Sequence, residues 1–184
     1  MIELIPIASI IAILLFLFNQ IIEAIKNRQI ARNRKLLIKE ILGYELLYNY
    51  KNVDKIESFV SSIDEKHNEK NFSLSGKRSG SGLTFVEINS NDYMQSLSIE
   101  RLSSKELESL RPLLVEESDI LFSNAVKLHK KLLSFNEMLD SITAVVIGDN
   151  SKLESLFFGN HISITLDRCA EMKTRLNEIA LNLD

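Results

Sequence analysis

The sequence predicts a mainly α-helical chain: one N-terminal transmembrane helix, then a helical bundle or hairpin domain with a small β-hairpin inserted. Three observations carry this. Residues 4–18 are apolar apart from Ser9. Leu121, Ala125, Leu128, Leu132, Phe135, Leu139, Ile142 and Val146 alternate by four and three without a break, the period of a helix–helix seam. Between these regions the stretch from Asp64 to Asp92 is polar, holds Gly76, Gly80 and Gly82, and loses helical period. The corresponding divisions are 1–25 as membrane helix, 26–35 as basic stalk and 36–65 as amphipathic helix. A polar Gly/Ser loop or β-hairpin then occupies 66–91, and a helical bundle with an antiparallel hairpin occupies 92–184.

The opening run, extended through Asn19 and Gln20 to Ile22, reaches about 28 Å at 1.5 Å per residue, close to the ~30 Å hydrocarbon core of a bilayer. Leu4, Ile11, Leu15, Phe18 and Ile22 mark the expected span. Pro6 fits the first turn, where a missing N–H is harmless. A cleaved signal peptide starts with basic residues and ends in small ones; this chain opens Met1-Ile2-Glu3 and has neither feature. The basic residues Lys26, Arg28, Arg32, Arg34 and Lys35 follow the run instead. They place the N-terminus outside and the C-terminal domain in the cytosol, at the inner membrane, with lipid headgroups within reach. An interfacial helix is the competing reading, since Ile21, Ile22 and Ile25 extend an apolar stripe beside Glu23 and Lys26. Asn19, Gln20 and Glu23 are candidate span–span contacts.

Leu37, Ile41, Tyr44 and Tyr48 form the expected buried stripe of the next helix, broadened by Ile38 and Leu42, with tyrosines packed in a core or interface. Val53, Ile56, Phe59, Val60 and Ile63 continue the apolar pattern up to Asp64. "NFSLS" and "LTFVEI" read as two strands around a Gly-rich turn. The "SGKRSGSG" segment lacks the glycine spacing and the Lys-Ser/Thr of a phosphate-binding loop. Ser103-x-x-Glu106 and Ser151-x-x-Glu154 read as capping boxes. Pro112 kinks or restarts the helix that opens at Ser104. In the last segment Ile162, Leu166, Cys169, Leu176, Ala180 and Leu183 form the apolar face, which Lys173 interrupts.

Subtracting residues 1–40, with six basic and three acidic side chains, from totals of 22 and 25 leaves an acidic body of 16 against 22. Phosphate recognition needs clustered positive charge, so nucleic acid is not an expected partner. A single cysteine, Cys169, forms no intrachain disulfide. His67, His129 and His161 have no metal-ligand spacing, and no nucleophile motif is present. No catalytic, cofactor or metal site is expected, and no enzymatic activity. The expected partners are membrane lipid and a second copy or another protein docking on helical surfaces. The abundance of Ile, Asn and Lys points to a bacterial or phage genome. The expected role is an accessory or effector subunit of a bacterial membrane-associated complex. The alternative is a pore-forming effector triggered through the helical body, as in stress or phage defence.

Overall fold

The structure, a computed structural model, describes residues 7–66, 69, 71–78, 84–90, 93–117, 119–148 and 160–181. The chain is mainly helical with a three-stranded antiparallel sheet. Helix α1 spans Ile7–Lys66, β1 Ser73–Arg78, β2 Thr84–Ser90 and β3 Tyr93–Ile99. Helices α2 (Lys105–Ser109), α3 (Arg111–Glu117), α4 (Asp119–Gly148) and α5 (Asn160–Leu181) follow. Residues 1–40 and 41–184 form two compact units.

Among the described residues no helix is long and apolar enough to cross a membrane. The described residues therefore do not support the transmembrane helix read from the sequence. The apolar run starts at Leu4, before the first described residue. From Ile11, where the described side chains begin, Asn19, Gln20, Glu23, Lys26 and Arg28 dilute it within five turns.

In the second unit the α1 core face is Leu42, Leu46, Val53, Ile56, Phe59, Val60 and Ile63, all at most 5% exposed. This corrects the stripe expected from Leu37, Ile41, Tyr44 and Tyr48. Leu37, Tyr44 and Tyr48 are 49%, 69% and 43% exposed. The buried face is turned by one residue, and it includes Glu45, Asn49 and Asn52. Polar residues at these positions hid the true face, because buried polar groups need partners that only the fold supplies.

The sheet order is β1-β2-β3, with Leu74 opposite Ile88 and Val86 opposite Leu97. In β2, Thr84, Val86, Ile88 and Ser90 are buried while Phe85 and Glu87 face out, the period of two a half-buried strand requires. The hairpin is thus present, but Gly76, Lys77 and Arg78 lie in β1 rather than in the turn. A third strand occupies a region read as helical. Gln95, Ser96 and Ser98 dilute its apolar alternation, which is why it was not visible as a strand.

Helix α4 buries Ala125, Leu128, Leu132, Phe135, Leu139 and Val146 within the single chain, with Leu121 and Ile142 half-buried. Lys131, Ser134 and Phe135 face Arg168, Glu171 and Met172 of α5. Earlier α4 residues Asn124 and Lys127 face Arg175 and Glu178, so α4 and α5 run antiparallel. The α5 core face is Ile162, Thr165, Cys169, Met172, Leu176 and Ile179. It shares Ile162, Cys169 and Leu176 with the expected stripe but replaces Leu166 and Ala180 with their neighbours on the other side; Leu183 lies outside the described residues. Ser151 and Glu154 also lie outside them.

Candidate functional site

Two features have the chemistry to act: the apolar part of α1, and a cleft walled by α2, α3 and α4. Every described side chain from Ile11 to Asn33 is exposed. Ile13, Leu14, Leu15, Phe16, Leu17 and Phe18 are 50–62% exposed. Successive helical side chains step by about 100°, so six in a row cover the whole circumference. The segment is apolar on all sides. Of the expected span residues, Ile11, Leu15 and Phe18 belong to this exposed sheath, Ile22 follows it and is exposed like Asn19, Gln20 and Glu23, and Leu4 lies outside the described residues. Lys26, Arg28, Arg32 and Lys35 are exposed and Arg34 is half-buried.

The cleft rests on a strap, residues 100–104, that carries the chain from β3 to α2. Two asparagines hold it from opposite helices. Asn49 of α1 accepts from the Ser103 N–H (2.8 Å) and donates to the Ser103 carbonyl (2.7 Å). Asn136 of α4 does the same for Leu102, at 2.8 and 2.9 Å. An amide side chain reproduces the pairing of a neighbouring strand, so two consecutive peptides are satisfied without a sheet. Arg101 forms a fork with Asp140, Nε to Oδ1 at 3.2 Å and Nη2 to Oδ2 at 2.5 Å. The Tyr48 hydroxyl donates to Glu100, and that bond to a carboxylate raises its pKa above the usual phenol value.

The start of α2 differs from the expected capping box. Ser104 is the cap residue and makes no side-chain cap bond. The buried carboxylate of Glu45 does the work from α1. Its Oε1 accepts from the Glu106 N–H (3.1 Å) and the Ser103 hydroxyl (2.7 Å), and its Oε2 from the Leu107 N–H (2.9 Å). A negative charge at a helix start also meets the positive end of the dipole. Pro112 stands in the first turn of α3, where the helix restarts after Leu110.

Between α2–α3 and α4 lies a cleft of ≈ 190 Å³. Leu107, Leu114, Ala125 and Val126 line it with apolar surface, and Phe122 carries the Arg111 guanidinium over its ring at 5.9 Å. Glu108, Arg111, His129 and Lys130 supply the polar groups. The Glu108 carboxylate accepts from the Ser104 hydroxyl (2.8 Å) and lies 3.7 Å from His129 Nδ1. That nitrogen is buried and makes no hydrogen bond among the described residues. The sequence showed His129 only as a boundary residue on a helix; convergence with Glu108 and Arg111 depends on how α2 and α3 fold back on α4.

Cys169 is fully buried on α5, and burial, reinforced by the nearby Glu57 carboxylate, pushes its thiol up to about 12. A thiol so far from its thiolate is a poor nucleophile. Lys173, which breaks the α5 rhythm, sits 2.5 Å from both Asp54 and Glu57 of α1. Bonds to these two carboxylates raise its pKa above the usual lysine range. Among the described residues no group of three His, Cys, Asp or Glu side chains is placed to hold a metal ion. The side chains of His67 and His161 lie outside the described residues.

Comparison with protein-family models, with curated proteins and with solved structures finds no match to the chain.

Proposed function

We propose that this chain is a membrane-tethered helical interaction module, an accessory or effector subunit of a bacterial membrane-associated complex. The observation that carries the reading is the sheath of apolar side chains, exposed on every side of α1 from Ile11 to Phe18. Contiguous apolar surface of this kind is stable when a bilayer or another protein covers it. The run read from Leu4 to Ile22 is long enough for a span. Lys26, Arg28, Arg32, Arg34 and Lys35 follow it and favour the cytoplasmic side, which sets the N-terminus outside and the body in the cytosol. The α4 seam is already buried within the chain, so docking falls to other helical surfaces. The test combines carbonate extraction with C-terminal reporters active on one side of the inner membrane only. Extraction-resistant protein with a cytosolic C-terminus is the expected result. Release by carbonate would make the segment interfacial or a protein-docking helix, and an external C-terminus would reverse the orientation.

A second reading is a pore-forming effector. Asn19, Gln20 and Glu23 stand exposed directly after the apolar sheath, where amides and a carboxylate can bond neighbouring helices or face water. It requires dye leakage from vesicles that is lost in the Asn19→Leu/Gln20→Leu variant. Absence of leakage from the unaltered chain would sink it.

A further inference from the structure

We propose that the cleft between α2–α3 and α4 binds a small amphipathic carboxylate. Its volume, ≈ 190 Å³, lies below the ~300 Å³ of sites for drug-sized ligands, which limits the occupant to roughly one ring or a short chain. The walls suit an apolar body: Leu114 is fully buried, Leu107 and Ala125 nearly so, and the Phe122 ring is half-buried beside them. The rim suits a single negative charge. Arg111 and Lys130 are exposed and have no ion-pair partner among the described residues, while Glu108 contributes one opposing charge. Two cations and one acid leave a surplus that one carboxylate matches and a dianion exceeds. Arg111 is the better partner, because its planar fork takes a carboxylate at two points, and its guanidinium lies over the Phe122 ring at 5.9 Å. His129 lines the same space, and its buried Nδ1 makes no hydrogen bond among the described residues.

The arrangement differs from the ion pairs elsewhere on the body. Lys131 is satisfied by Glu171, Arg175 by Glu178 and Lys173 by Asp54 and Glu57. At this cleft two cations without a described ion-pair partner, Arg111 and Lys130, stand together beside apolar walls. The proposal stands independently of the membrane reading.

The test uses the full chain in phosphatidylcholine nanodiscs, with phenylacetate as the probe and phenylacetamide as its neutral counterpart. Methyl spectra of labelled Leu and Val report the site. Phenylacetate is expected to saturate at roughly millimolar concentration, as a ligand of about ten non-hydrogen atoms should, with shifts at Leu107, Leu114 and Val126. Removal of charge separates the site from a greasy patch. The Arg111→Gln/Lys130→Gln variant should weaken binding about ten-fold, and Glu108→Gln should strengthen it about three-fold. All three positions are exposed, so the fold should tolerate the changes. Equal binding of the amide, unchanged affinity in both variants, or shifts away from these methyls would each overturn the proposal.

Discussion

Asn49 and Asn136 each replace a missing strand neighbour for one peptide of the strap, and the two peptides are adjacent. Removing either amide leaves a partly buried N–H and carbonyl to find other partners, which costs about 1–3 kcal/mol. Asn49→Ala and Asn136→Ala should each lower stability by that amount in urea titrations. Because both act on one short segment, their double variant should lose less than the sum of the two. Strict additivity would mean that the strap is held elsewhere. The roles of Asn49 and of Glu45, which caps α2, could not be read from sequence, where both occupy positions that look like the polar side of an amphipathic helix. Cys169 was legible as a small buried hydrophobe, because its spacing places it on the α5 core face. Its thiol carries a pH consequence. The folded state holds the proton up to about 12, whereas an ordinary thiol releases it near 9.0. Between these values the unfolded chain binds fewer protons than the folded one, so stability falls as pH rises through that window. Cys169→Ala should remove this part of the alkaline slope in thermal melts at constant salt. The native thiol should also resist iodoacetamide until the chain unfolds.

Helix α4 was the most legible element, since its seam repeats by four and three over 26 residues, from Leu121 to Val146, and the core takes up that period directly. The α5 stripe was offset at alternate positions because Thr165, Met172 and Ile179, which are buried, stand one residue before Leu166, Lys173 and Ala180 at equally good helical spacing. Only the partner helices decide between such faces. The sheet shows the same limit. β2 alternates cleanly, while β3 carries too many serines to announce itself. What joins sheet to helix is a close approach at Gly76, where an added Cβ would meet Val146 Cγ1 at 2.8 Å and Ile147 Cγ1 at 3.2 Å. Val146 is buried and β-branched, so it has little freedom to yield. Gly76→Ala should cost about 1–3 kcal/mol through overpacking. Gly43 makes the opposite case. A Cβ there meets nothing within 4 Å, and the residue lies inside α1. Gly43→Ala should therefore stabilise by about 0.5–1 kcal/mol by restricting the unfolded chain. Opposite shifts of the two urea midpoints are expected; a neutral Gly76→Ala would show that β1 does not pack tightly on α4.

At the scale of the whole molecule, the two units ask for different surroundings. The first exposes apolar side chains on every face over Ile11–Phe18, while the second closes a core drawn from α1, the sheet, α4 and α5. The body's ion pairs tie distant parts of the sequence together, as Lys173 with Asp54 and Glu57 joins α5 to α1. A fragment from Leu36 to Asp184 keeps all of these and retains the buried Ile38. It should express as a folded, water-soluble monomer with a cooperative unfolding transition, because the α4 seam finds its partners within the chain. The full chain should instead need detergent or lipid to stay dispersed, since burying the sheath is worth about 25 cal/mol per Å² of apolar surface. Analytical ultracentrifugation of the fragment and the full chain, each with and without detergent, checks both statements. A fragment that dimerises would move the oligomer contact into the body. A full chain that stays monomeric and dispersed in plain buffer would remove the membrane tether as the reason for the apolar sheath, because no surface in the solution would then be covering it.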